Sequence, residues 1–152
     1  EAIEKTKRVF DISSASSVNV KKEIDGFVLN RLQGALLNEA LRLYSDGYAS
    51  SDEIDATIRD GLGLRWAFMG PFETIDLNAP GGIRDYMARY GSMYMDMAKT
   101  QTKIPDWSDK AGEMLEKERR EILPEDQLQE RAKKRNFLLK SLRKIKIDNN
   151  EI

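Results

Sequence analysis

Apolar positions along the chain recur mostly at helical spacing. From about Phe27 to Asp46, Val28, Leu32, Ala35, Leu36, Ala40 and Leu43 fall on one face, and Gly47 is placed to end the helix. The pattern predicts a long, well-buried helix. Ser50-Ser51-Asp52-Glu53 has the Ser-x-x-Glu spacing of a capping box, so a second helix starts there, turns Ile54 and Ile58 inward and ends at Gly61. Gly61, Gly63 and Gly70 are expected to break up an apolar loop. Pro71, in a first-turn position, then opens a short helix through Leu77 that Asn78-Ala79-Pro80-Gly81-Gly82 stops. Ile83, Met87, Tyr90, Tyr94, Met97 and Ala98 form the stripe of a further helix, in which Gly91 costs about 1 kcal/mol relative to Ala and must be outweighed by packing. Pro105 to Ser108 marks another helix start and Pro124 a last one, followed by a charged segment punctuated by Leu128, Phe137, Leu138, Leu142 and Ile145.

The front of the chain reads differently. A short helix to about Phe10, with Ile3 and Phe10 as its apolar points, leads through a Ser-rich linker at Ser13–Ser17 to Val18-Asn19-Val20, which alternates like a strand. A lone strand cannot satisfy its ladder of backbone hydrogen bonds. Residues 1–22 therefore read as the last αβ unit of a sheet domain, and 23–152 as an all-α domain of about five or six helices. The opening at Glu1 rather than Met suggests a processed or excised fragment.

Composition narrows the chemistry. The chain has 152 residues, 40% hydrophobic and 34% charged, enough for one domain or one domain plus an appendage. With 25 Lys+Arg against 26 Asp+Glu, the net charge of -1 gives no field that would steer the whole molecule to nucleic acid or an acidic membrane. Cysteine and histidine are both absent, which removes disulfides and the usual donors of zinc, haem and copper sites; no metal site is expected. No Gly-x-Gly-x-x-Gly is present to cradle a dinucleotide. No apolar run approaches the roughly twenty residues that span a bilayer, and a cytoplasmic protein is expected.

Two stretches carry a resemblance. Lys21 to Gln33, with Gly26-Phe27-Val28-Leu29-Asn30-Arg31-Leu32 at its centre, resembles the junction between the two domains of 3-hydroxyacyl-CoA dehydrogenases. Asp52 to Asp55, Gly61-Leu62-Gly63 and Gly70-Pro71-Phe72-Glu73-Thr74 are similar to that family's next helix, glycine turn and helix start. Arg65-Trp66-Ala67-Phe68, inserted before Met69-Gly70-Pro71, is similar to the lambda-crystallin branch, whose enzyme is L-gulonate 3-dehydrogenase. The resemblance implies an α domain like the C-terminal domain of 6-phosphogluconate dehydrogenase, preceded by the end of a Rossmann domain. It implies that NAD and the catalytic His/Glu pair belong to that Rossmann domain and not to this chain. The α domain would close the cleft, shape the pocket for a 3-hydroxy acid or an acyl-CoA, and form the homodimer.

The candidate residues each have two readings. Asn30 matches the family's junction asparagine, and an amide can orient a histidine or a developing oxyanion without titrating; the plain alternative is a polar residue on the solvated side of a helix. Arg65 can clamp a substrate carboxylate through a bidentate pair, or stack on Trp66 with no ligand. Arg31 is expected to pair with an acid such as Glu73 or Asp76, and Glu39 to serve as a structural ion-pair or cap partner rather than a base. The stretch from Arg131 to Lys146 holds eight basic residues and no acidic one; a solvated or dimer-facing amphipathic helix explains it better than a nucleic-acid site.

The resemblance thus implies the substrate-binding and dimerisation half of an NAD-dependent dehydrogenase, inactive by itself. Two other classes stay open: a non-catalytic crystallin-like structural protein, and a stand-alone helical interaction module built on the Met87–Met97 stripe, a stripe that is more often simply core.

Overall fold

The structure, a computed structural model, describes residues 2–12 and 18–151. The Ser13–Ser17 linker lies outside the described residues. All regular elements among the described residues are helical: α1 (Ala2–Ile12), α2 (Phe27–Ser45), α3 (Ser51–Ala56), α4 (Gly63–Trp66), α5 (Pro71–Leu77), α6 (Gly82–Thr100), α7 (Asp109–Ile122) and α8 (Leu128–Asp148). A π-helical segment (Thr57–Leu62) joins α3 to α4, and a 3-10 turn (Glu125–Gln127) precedes α8. The all-α expectation holds. Val18–Val20 belong to no strand, as follows for a segment with no neighbouring strand to share its ladder. No described helix is long and apolar enough to cross a membrane.

The helix ends follow their sequence signals. α2 stops in a Schellman motif: Gly47 takes φ +75°, its N–H donates to the Tyr44 carbonyl at 3.0 Å, and the Tyr48 N–H donates to the Leu43 carbonyl at 2.9 Å. The capping box at α3 is complete, with the Ser50 N–H donating to Glu53 Oε2 at 2.8 Å and the Glu53 N–H to Ser50 Oγ at 3.4 Å. Ser108 caps α7 by accepting from the Ala111 N–H. At α6 the cap comes from Asp76, whose Oδ1 accepts from the Ile83 N–H at 2.6 Å. Asp76, expected above to attract Arg31, is thus engaged by backbone.

One boundary moves. The helix begun at Ser51 does not end at Gly61, and Gly61 and Gly63 break no loop. The chain stays helical through the π segment and α4 to Trp66, and the break comes at Gly70, the N-cap of α5. The wide turn closes with the Gly63 N–H donating to the Ile58 carbonyl, five residues back. A Cβ on Gly63 would sit 2.8 Å from that oxygen, so glycine permits the π turn rather than ending the helix.

The chain divides into two units, residues 1–33 with 126–152, and residues 34–125. In the second, α5 packs along α6, α3 against α7, and α4 against the π segment and α5. A polar staple joins α3 to α7. Glu118 Oε1 on α7 accepts from the Ser51 N–H at 2.8 Å and Ser51 Oγ at 2.9 Å, and its charge acts on Tyr44 of α2. Arg119 reaches Asp55 at 3.3 Å from the same helix. A groove of about 180 Å³ beside the staple is lined by Leu37, Leu41, Tyr44, Ile54 and Leu115 among others.

Burial corrects a second expectation. Among the described residues the buried ones are Ser51, Thr74 and Pro105, and no Ala, Val, Ile, Leu, Met or aromatic side chain is among them. α2 is therefore not a well-buried helix: Val28, Leu29 and Leu32 are exposed. The Met/Tyr stripe of α6 is not core either, with Met87 61% and Tyr94 47% exposed. A periodic apolar face shows that a helix has something to cover, not what covers it.

Candidate functional site

Asn30 stands in the first turn of α2, in the first unit. The turn before it is unusual: Gly26 takes φ +79° and Phe27 φ +50°, with the Phe27 N–H donating to the Ile24 carbonyl at 3.1 Å. Left-handed backbone suits the glycine but costs a bulky residue about 1–3 kcal/mol. Asn30 follows on the exposed surface of the helix, its amide open to solvent. Arg31 is exposed beside it.

Arg65, in the second unit, lies on the single helical turn of α4 rather than in a loop, and is exposed. Its charge acts on Tyr86 of α6. No ring contact with Trp66 occurs among the described residues; three tyrosines of α6 do make ring contacts. Tyr86 and Tyr90 have centroids 4.8 Å apart, Tyr86 and Tyr94 are stacked at 6.3 Å, and the Tyr86 and Tyr94 hydroxyls share a hydrogen bond of 2.8 Å. That bond, then desolvation, raises the Tyr86 pKa above its ordinary value, while Arg65 pulls it down. Tyr86 was absent from the apolar stripe read off the sequence. The Tyr86, Tyr90, Tyr94 spacing of four was the signal that marks it.

The remaining candidates resolve into structural roles. Glu39 accepts from Arg42 on the next turn in a close ion pair, and the same guanidinium donates to the Lys103 carbonyl at 2.9 Å, so Glu39 is the structural partner expected. Lys103 returns to Asp46 at 3.2 Å. Trp107 Nε1 donates to Asn38 Oδ1 at 3.1 Å and ties the segment before α7 to α2. α8 carries the basic stretch on a helix exposed along nearly its whole length, with Phe137, Leu138 and Leu139 exposed among the charges.

The sequence pattern of the 3-hydroxyacyl-CoA dehydrogenase C-terminal domain matches residues 26–124, about two thirds of the chain and all of α2 to α7. The chain belongs to this family. Among its relatives, lambda-crystallin of Oryctolagus cuniculus is 39% identical over 146 residues, covering 95% of this chain and 46% of the relative. The lambda-crystallin homolog of Rattus norvegicus is 41% identical over 131 residues, 85% of this chain and 41% of the relative. L-carnitine dehydrogenase of Pseudomonas putida is 40% identical over 111 residues, 72% and 34%. The chain thus spans less than half the length of these relatives. The lambda-crystallin branch read from Arg65-Trp66-Ala67-Phe68 is the branch these matches give.

The family's dehydrogenase chemistry raises the question of a dinucleotide. Such a cofactor is held by a glycine-rich turn between a strand and a helix. The described residues contain no strand, and the Gly61-Leu62-Gly63 pair lies inside the π segment and α4, its amides engaged in helical bonds. The residues present do not fit the cofactor.

Proposed function

We propose that this chain is the substrate-binding and dimerisation half of an NAD-dependent dehydrogenase that oxidises a 3-hydroxy acid of the L-gulonate kind or a 3-hydroxyacyl-CoA. The family match over residues 26–124 carries the reading, supported by relatives named as a dehydrogenase. On this reading residues 1–22 are the end of a Rossmann domain and 23–152 the α domain, NAD is held by the Rossmann domain, and the complete protein works in the cytoplasm. Asn30 supplies a neutral amide beside the reacting oxygen, where it can hold a histidine or a developing negative charge in place. Arg65 clamps a substrate carboxylate through a bidentate pair. The chain alone turns over nothing and binds NAD poorly.

Asn30→Ala in the complete enzyme is expected to lower turnover by at least about a hundredfold, the scale of one positioned hydrogen bond in a transition state. An unchanged rate removes Asn30 from the site. Dimerisation is supported by the exposed apolar faces of α2 and α6, which are large for surfaces left to water. Sedimentation at micromolar concentration checks it, and a monomer refutes it. A crystallin-like structural role without catalysis is the second reading, favoured by the rabbit relative's name. Absence of NAD-linked turnover in the complete protein, with Asn30 and Arg65 intact, would select it.

A further inference from the structure

α8 lies beyond residues 26–124, the span that the family's pattern matches, and holds neither of the proposed site residues. Between Arg131 and Lys146 it carries eight basic residues and no acidic one. Lys133, Lys140 and Lys144 are exposed and take part in none of the ion pairs among the described residues. At about 100° per residue these three fall within about 40° of one another round the helix, with Phe137, 68% exposed, at their edge. Leu138, Leu142 and Ile145 recur at i, i+4 and i+7 on another side. Leu139, 56% exposed, stands about 160° round from Phe137, and Arg135 projects between Leu139 and Leu142. The helix is therefore open on opposite sides, with apolar and basic residues on each.

That distribution selects the occupant. A flat anionic bilayer covers one side of a helix and requires its apolar and basic residues to be segregated. On α8 it would either submerge Arg135 with the leucines or leave Phe137 in water. A phosphate backbone meets the lysines and leaves the leucines uncovered. A protein cleft that closes round the helix covers both sides at once: its apolar walls receive Leu138, Leu142 and Ile145 at the spacing of helix-in-groove recognition, and its acidic rim meets the lysines. We infer that α8 is a docking helix for an acidic protein with an apolar, methionine-lined cleft, the surface that an EF-hand sensor opens on binding calcium. Flexible methionine side chains fit the uneven run Phe137-Leu138-Leu139, which a rigid groove would not. Neither Asn30 nor Arg65 takes part, so docking is independent of turnover.

Calorimetric titration of the complete protein with calmodulin, in calcium and again with the calcium chelated, tests the assignment. Binding at micromolar concentration in calcium, lost on chelation, is the expected result. Leu138→Ala with Ile145→Ala should weaken it by about thirtyfold or more, the scale of anchors that fill a pocket. Lys140→Glu with Lys144→Glu should weaken it by about tenfold or more, with much of the loss in the association rate. All four side chains are exposed, and an unchanged far-UV circular dichroism spectrum shows that the variants stay folded. No binding in calcium overturns the assignment, as does binding that survives chelation or that neither pair of substitutions weakens. Capture of the protein by phosphatidylserine vesicles where calmodulin fails assigns α8 to a flat anionic surface and overturns it too.

Discussion

Gly63→Ala, paired with Gly61→Ala, tests whether the π turn is a built feature of the helix from Ser51 to Trp66. In an ordinary helix interior, glycine to alanine is favourable by about 1 kcal/mol, because the chain gives up less freedom on folding. Gly61 meets that condition: a Cβ there has nothing within 4 Å, and Gly61→Ala should stabilise by about 0.5–1 kcal/mol. Gly63 starts with the same gain but brings its Cβ to 2.8 Å from the Ile58 carbonyl oxygen and 3.6 Å from the carbonyl carbon. That oxygen is backbone, and it accepts the bond that closes the turn, so it cannot swing away as a side chain would. Forced overpacking of this kind costs about 1–3 kcal/mol. The two variants should therefore fall on opposite sides of wild type, with Gly63→Ala the less stable by about 1–3 kcal/mol. Urea unfolding followed by far-UV circular dichroism at one fixed protein concentration measures the difference. Equal stabilisation by both substitutions would show that the π turn is dispensable and refute the reasoning.

Two further perturbations probe the caps and the staple. Ser50→Ala removes the acceptor for the Glu53 N–H and half of the capping box, and should lower stability by about 0.5–2 kcal/mol in the same unfolding assay. Glu118 is held below the ordinary carboxylate pKa by the Ser51 N–H and Ser51 hydroxyl, so its contribution is present above the unfolded carboxylate pKa and fades as pH falls through the folded one. Tyr44 is shifted the opposite way, upward by desolvation first and by Glu118 second, so its contribution is complete below the unfolded phenol pKa and is lost as pH rises through the folded value. Glu118→Gln should flatten the acid-side slope of stability against pH; an unchanged slope would mean that the staple carries no linkage.

What could be read from the sequence was local. Gly47, Ser50 and Ser108 mark helix ends through bonds to residues a few positions away, Pro71 marks one through its fixed φ at the first helical position, and each does so in the structure. The family resemblance was legible for the same reason, being carried by short contiguous runs. The π turn was not. Gly61 and Gly63 read as breakers because glycine lowers helix propensity, and nothing in a linear pattern shows that a carbonyl five residues back needs the room. The Tyr86–Tyr94 bond was hidden likewise, since its two residues lie farther apart than the usual helix neighbours. Ser51, a buried residue, read only as part of a cap, and its partner Glu118 comes from a distant helix.

Both proposed site residues follow a departure from regular backbone. Asn30 comes three residues after the left-handed Phe27, and Arg65 comes three residues after the end of the π segment. A regular helix fixes the direction of each side chain from the one before it, by a rotation of about 100° per residue. A left-handed pair at the helix start, or one wide turn within it, resets that direction for every residue that follows. The phase of a polar side chain can then be chosen without changing the apolar face that must be covered. Such irregularities cost stability locally and are concentrated where a side chain must be aimed. The same logic separates Glu39, which lies in regular α2 and spends its charge on Arg42, from Asn30 at the head of that helix. If the π turn exists to aim Arg65, then straightening it by Gly63→Ala disturbs carboxylate recognition as well as stability, whereas Gly61→Ala alters neither the turn nor the direction in which Arg65 points.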